Sequence, residues 1–471
     1  MQPISPTHYT TDPEHTIVAS PRKGGAVKLA ILVADVLLLF AMLAWLPFDA
    51  NVNKGLAILA FVAILWLTEA VHITITALSI PVLATLLGIF PMAAALSDFA
   101  NPVLFLFFGG FALAAALSKQ GLDTQIAAKV MQLAKGHLGW GAIVLFTLTG
   151  ALSMWISNTA TAAMMMPLAL GMLKGLDLHK ERRTLVFVLL GVAYSASIGG
   201  IGTLVGSPPN AIAAAQMGLG FTDWLEFGLP VVLIFMPVGI ALLYWVIRPN
   251  LSHPVTSDKI TLIWTSERKM TLTIFLATVL LWILSQPIAK AIGIGQLDTL
   301  IAMGAIIAIA VTRVASWDDI NSNTDWGVLM LFGGGLTLSA ILKQTGANAF
   351  LAKHLSDALA TMPIFVILLC LAAFVIFLTE LVSNTATAAL LVPLFAGVAE
   401  ALGLSPVVVS VLIAVGASCA FMLPVATPPN AIVFASGQIT QREMMRAGFA
   451  LNMVFTLLVT ALAYFVGDIL H

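Results

Sequence analysis

Charge is the scarcest property of this sequence. Asp, Glu, Lys and Arg make up 9% of its 471 residues, against 60% hydrophobic residues, a balance that a soluble domain of this size could not keep in solution. The chain therefore reads as a polytopic, all-α membrane protein. A formal net charge of −1 leaves nothing that points to nucleic acid or to an acidic partner. The two cysteines, Cys370 and Cys419, sit in apolar context with no spacing motif, which favours buried small side chains over a disulfide or a metal centre. Eight histidines are scattered without carboxylates at ligand spacing. The Gly200, Gly202 and Gly206 run lacks the strand context of a nucleotide loop, so helix packing explains it better and no organic cofactor is expected. Met164 to Met166 reads as packing, because no second soft-ligand cluster accompanies it.

Long apolar stretches are abundant. The first, about residues 26–46, approaches the length needed to cross roughly 30 Å of hydrocarbon. It is too long for the apolar region of a signal peptide, and the polar tail ahead of it carries Pro3, Pro6, Pro13 and Pro21. Further spans are expected near 54–72, 74–91, 102–118, 184–218, 226–247, 270–289, 297–312, 325–342, 405–437 and 447–467.

Within this apolar background one polar block occurs twice. Ser-Asn-Thr-Ala-Thr-Ala-Ala runs from Ser157 to Ala163 and from Ser383 to Ala389, each copy followed by a proline, Pro167 and Pro393. Phe108-Gly109-Gly110 and Lys119-Gln120 return as Phe332-Gly333-Gly334 and Lys343-Gln344. Gly206-Ser207-Pro208-Pro209-Asn210 returns as Ala426-Thr427-Pro428-Pro429-Asn430. Blocks in the same order at nearly constant offset mean an internal duplication, which in a membrane protein points to transporter architecture. The expected organisation is a polar tail (1–25), an extra first helix (26–48), repeat 1 (49–248), a cytoplasmic linker (249–268) and repeat 2 (269–471).

With the N-terminus in the cytoplasm, seventeen of the 21 Lys and Arg fall inside and four, Lys54, Lys290, Lys343 and Lys353, outside. That asymmetry supports about eleven spans. Each repeat then has five crossings, an odd number, so the second is inverted relative to the first. The triplet segments, about 138–168 and 363–395, are not counted as crossings. The flanks of the first, Lys135 and Lys174, lie on one side, as a re-entrant hairpin requires, and its twin enters from the opposite face.

The polar positions suggest what binds. No Lys, Arg, Asp or Glu lies between Lys135 and Lys174, and between Lys353 and Arg442 the charges are Asp357, Glu380 and Glu400. A hairpin turn in lipid frees backbone groups that a cavity, water or ligand must satisfy. Freed N–H groups attract anions, and freed carbonyls with Ser, Asn and Thr oxygens suit a hard cation of low charge. The double prolines break two spans, and Ser207 and Thr427 stand where a new helix is capped or a carboxylate bound. A lone Ser-Asn-Thr would serve equally as interhelical glue, but duplication beside two broken helices favours binding. Glu380, whose repeat counterpart is Met154, and Glu69 with His72 fit either a structural or a coupling role. A dianion in a pocket without Lys or Arg meets only the partial charge of helix ends, so bound cations must contribute. An intramembrane hydrolase would need a His or Lys base near Ser157 or Ser383, and neither repeat core has one. A passive channel is a weaker alternative, which concentrative uptake would exclude.

The paired Ser157-Asn158-Thr159 and Ser383-Asn384-Thr385, the Ser207-Pro208-Pro209-Asn210 and Thr427-Pro428-Pro429-Asn430 breaks and the five-plus-five repeat resemble the divalent anion/sodium symporter family. The match extends over nearly the whole chain after about residue 50. The resemblance implies sodium-coupled uptake of C4-dicarboxylates such as succinate, malate and fumarate, with citrate, sulfate or sodium-independent exchange as alternatives. It implies that Asn158, Thr159, Asn384 and Thr385 hold the substrate carboxylates, with Ser207 and Thr427 nearby. It further implies at least two sodium ions, one held by Ser153, Ser157, Asn158 and Gly206 and one by Thr379, Val382, Asn384 and Ala426. A lipid-embedded homodimer with an elevator motion in the inner membrane completes the expectation, without an enzymatic activity.

Overall fold

The computed structural model describes residues 25–132, 136–174, 176–177, 180–253, 263–359 and 361–469. The polar tail up to residue 24, residues 254–262 of the expected linker and the flanking Lys135 lie outside the described residues. Among the described residues the regular structure is helical. The first half contains α1 (Gly25–Trp45), α2 (Ala50–Thr68), α3 (Ile73–Leu86), α4 (Met92–Ala95), α5 (Pro102–Lys119), α6 (Leu122–Met131), α7 (Leu138–Ser153), α8 (Asn158–Met172), α9 (Arg182–Gly199), α10 (Pro208–Met217) and α11 (Phe221–Ile247). The second contains α12 (Ser266–Ile283), α13 (Ser285–Ile292), α14 (Leu297–Val311), α15 (Trp317–Asn323), α16 (Trp326–Gln344), α17 (Ala347–Leu359), α18 (Ile364–Thr379), α19 (Asn384–Ala401), α20 (Pro406–Ala417), α21 (Pro428–Ala435) and α22 (Gln441–Ile469).

The repeated sequence blocks fall on matching elements. Phe108-Gly109-Gly110 lies in α5 and Phe332-Gly333-Gly334 in α16; the triplets open α8 and α19; the double prolines open α10 and α21. By length and composition eight helices are able to cross a membrane, or ten if each of two bent pairs is one span. The two shortest-fitting expected spans, α3 and α14, are helical over 14 and 15 residues, which is about 21–23 Å. The span expected at 270–289 is bent by 68° between α12 and α13. By its length and apolarity α19, expected as a hairpin arm, would also suffice to cross.

Helix α9 is the axis of the core: Thr184 to Gly199 are all buried, and it packs against α7, α8, α11 and α21. Apolar residues all round a helix suit burial on every side. Helix α1 is the opposite case, with Val27, Leu29, Leu37 and Phe40 exposed, as expected of a helix that faces lipid. It pairs with α2, where Lys28 Nζ donates to the Glu69 carbonyl at 2.9 Å. Glu69 caps α2 in a left-handed conformation (φ 46°), and His72 Nδ1 caps α3 by accepting from Thr74 N–H. The structure thus gives this pair an end-of-helix role.

Candidate functional site

Each triplet begins a helix after a tight turn. Ser157 and Ser383 are N-caps with non-helical backbone (φ −55°, ψ 144° and φ −52°, ψ 133°), the conformation a cap needs before the helix proper. The Ser157 hydroxyl accepts from Ala160 N–H at 3.3 Å, while the Ser383 side chain makes no such bond. Five residues before each Asn stands a hydroxyl, and the two copies use it alike. Ser153 Oγ lies 2.6 Å from Asn158 Oδ1 and 2.7 Å from the Ala196 carbonyl. Thr379 Oγ1 lies 2.7 Å from Asn384 Oδ1 and 3.0 Å from the Ala417 carbonyl. A hydroxyl has one proton, so each trio of oxygens holds one donor among three potential ligands. Such a cluster, on the buried Ser153 and Thr379, suits a hard monovalent cation.

The broken helices supply the second wall. The paired prolines occupy the first turns of α10 and α21, where a missing N–H costs least. Asn210 Nδ2 donates to the carbonyls of Gly200 (2.8 Å) and Thr203 (2.7 Å), and Asn430 Nδ2 to those of Ala420 and Leu423 (3.1 Å each). One amide therefore ties down each break. A side chain at Gly206 would meet the Gly200, Ser153 and Met154 carbonyls at 2.5–3.1 Å, so three carbonyl oxygens converge on the space glycine leaves. Ala426 fills the corresponding position with a methyl group. Ser207 and Thr427 are both buried N-caps; Thr427 accepts from Asn430 N–H at 3.3 Å, whereas Ser207 makes no side-chain cap bond.

The structure joins the two halves by exchange. Helix α21 packs on α8 and α9, and α10 packs on α19 and α20, so the second segment of each broken helix lies against the triplet helix of the other copy. Ser153, Asn158 and Gly206 come together around the first turn, with Gly200 in close approach to Asn158. Ser157 shares the turn but is exposed. Thr379 and Asn384 meet in the second; Val382 is buried in the turn, with its N–H bonded to Leu378 O. Thr159 is exposed and Thr385 buried.

Two groups were missed from sequence. Thr161 and Thr387, repeat partners, are buried with hydroxyls that have no hydrogen-bond partner, and the same holds for Oδ1 of Asn210 and Asn430. Their signal was present, since all four belong to the duplicated blocks. Glu380 takes a structural role: Oε1 accepts from Phe421 N–H (2.7 Å), Met422 N–H (2.9 Å) and Asn452 Nδ2 (2.7 Å), and Oε2 from Leu423 N–H (3.0 Å). It anchors the second break. In the first copy Met154 packs against Gly202, and Trp155 stacks on Phe221.

The family model described as "Citrate transporter" matches residues 63–413. The chain belongs to the citrate transporter family. Its relatives include an uncharacterized transporter of Haemophilus influenzae, 52% identical over 92% of this chain and 96% of its own. The sodium-dependent dicarboxylate transporter SdcS of Staphylococcus aureus is 31% identical over 94% of this chain and 91% of its own. The fold is shared with the solved YdaH transporter of Alcanivorax borkumensis (TM-score 0.55, 15% identity, 78% of this chain and 86% of that one). It is also shared with MtrF of Neisseria gonorrhoeae (TM-score 0.54, 15% identity, 90% and 96%). This citrate transporter family member is thus a membrane transporter of a small molecule, and its family and relatives are transporters rather than enzymes.

Proposed function

We propose that the chain is a sodium-coupled symporter that carries C4-dicarboxylates into the cell across the inner membrane, with its N-terminus in the cytoplasm. The observation that carries this reading is the pair of one-proton oxygen trios, Ser153 with Asn158 and Ala196 and Thr379 with Asn384 and Ala417. SdcS, at 31% identity over most of both chains, supports the same choice of ion and substrate. One sodium binds at each trio, with Ser157 and Gly206 completing the first and Val382 and Ala426 the second. Asn158, Thr159, Asn384 and Thr385 grip the two carboxylates, with Ser207 and Thr427 at the helix starts behind them.

The coupling follows from charge. The triplet regions have no Lys or Arg between their flanks, and helix ends alone offset little of a dianion's desolvation. Sodium ions bind first, order the two turns and complete the anion site. The two repeats are inverted, the hairpins enter from opposite faces, and in a homodimer they move with the broken helices against the remaining spans. Succinate uptake into proteoliposomes under inward sodium, potassium or proton gradients tests the coupling: uptake should require sodium, and indifference to sodium would end this reading. A tricarboxylate specificity is favoured by the description of the matching family; competition among citrate, succinate and sulfate separates the two.

A further inference from the structure

A cavity of about 880 Å³ lies where α10, α16, α17 and α19 meet. Helix α10 starts at the first break and α19 at the second triplet, and both run from the candidate site to this cavity, which Gln216 ends on one helix and Glu400 on the other. At 1.5 Å per residue, the cavity lies roughly 14–24 Å along them from the motifs. Lys343 of α16 and Lys353 of α17 border it, and among the described residues neither forms an ion pair. The first turn of α17, at Asn348 and Ala349, also borders it, adding the partial positive charge of a helix start. Asp357 and Glu400 supply two carboxylates, likewise unpaired among the described residues. Gln216 Oε1 and Asn348 Oδ1 are buried without a hydrogen-bond partner, so the wall offers acceptors that a hydrated path would use.

We propose that this cavity is a transit site through which the dicarboxylate reaches the motifs from the outer face, drawn by Lys343 and Lys353 and kept loosely held by Asp357 and Glu400. It rests on the dicarboxylate reading above. A path for an ion must bind it well enough to admit it and weakly enough to release it, and two cations balanced by two anions meet both demands. The triplet regions, bare of basic residues, do not draw a dianion from a distance; the two lysines do. The repeat partner of Lys343 behaves differently, because Lys119 is held by Asp319 at 2.9 Å. Both cavity lysines are among the four basic residues that the charge count puts outside.

The test uses the full chain in intact cells, with Cys370 and Cys419 replaced by Ala and a single probe introduced as A349C. Its modification by membrane-impermeant methanethiosulfonates is timed, one reagent carrying a sulfonate and the other a trimethylammonium group. K343Q/K353Q should slow the anionic reagent about three- to tenfold and E400Q should accelerate it, with opposite shifts for the cationic reagent. Rates indifferent to these changes, or labelling only from the cytoplasmic side, would overturn the proposal. In proteoliposomes K343Q/K353Q should raise the KM for succinate at low ionic strength and leave the rate at saturation unchanged; an unchanged KM would also overturn it. Failure of the unmodified protein to take up any dicarboxylate would instead defeat the functional reading, while the labelling still reports whether the lysines draw anions.

Discussion

Ser153 and Thr379 are the side chains whose hydroxyls join triplet to broken helix in both copies. Replacing either by an apolar residue removes one candidate cation ligand and leaves the Asn oxygen without its partner. S153A and T379V should each raise the sodium concentration for half-maximal uptake about tenfold, equivalent to ~1.4 kcal/mol, with the rate at saturating sodium less affected. Sodium titration of uptake measures this, and an unmoved titration in both variants would remove the trios from the ion sites. Glu380 calls for a different readout. Its four hydrogen bonds hold residues 421–423 and Asn452, and a buried donor left unpaired costs about 1–3 kcal/mol. E380Q keeps one acceptor oxygen but turns an amide toward the Leu423 N–H, and E380M, the repeat counterpart's residue, orphans every donor. Thermal unfolding in detergent should therefore rank E380M below E380Q and both below the unmodified protein; a melting temperature unchanged in E380M would show the anchor to be dispensable.

At the scale of elements, the breaks α9–α10 and α20–α21 were legible from the double prolines, and the triplet turns from polar residues in apolar sequence. Glu69 with His72 and Glu380 were ambiguous, because a carboxylate in an apolar stretch looks the same whether it caps a helix, anchors a loop or couples an ion; only the partners decide. The exchange of α10 and α21 between copies had no local signal, since packing between segments some two hundred residues apart leaves no trace in spacing. The first break also has a steric demand. Gly206 faces three carbonyls, and a Cβ at Gly200 would run into the Asn158 side chain. At Gly206 a contact that close with backbone is relieved by moving the break itself, and at Gly200 by displacing the Asn158 side chain from its place beside Ser153. G206A and G200A should thus each lower uptake by at least about tenfold while the protein still migrates as a folded species on gel filtration, and normal uptake by both would mean that the break does not approach the triplet during transport.

For the molecule as a whole, the scarcity of charge becomes a statement about order of binding. The two triplet helices begin in regions with no basic residue between their flanks, so on the proposed reading the anion's counter-charge is brought by cations that the oxygen trios take up beforehand. Whatever binds the folded protein and not the unfolded chain raises its stability by mass action, about 2.7 kcal/mol at one hundred times the dissociation constant. For a chain of this length that corresponds to a melting shift of a few degrees. Sodium chloride should accordingly raise the melting temperature above that in potassium chloride at equal ionic strength, since the trios bind before any anion arrives. Succinate should add a further increment in sodium and none in potassium, because its site is incomplete there. S153A/T379V should lose the sodium increment and, with it, the succinate increment, although neither residue is assigned to the carboxylates. Equal stabilisation by succinate in both salts would mean that the anion site forms without cations, and the chain's lack of charge would then need another compensation.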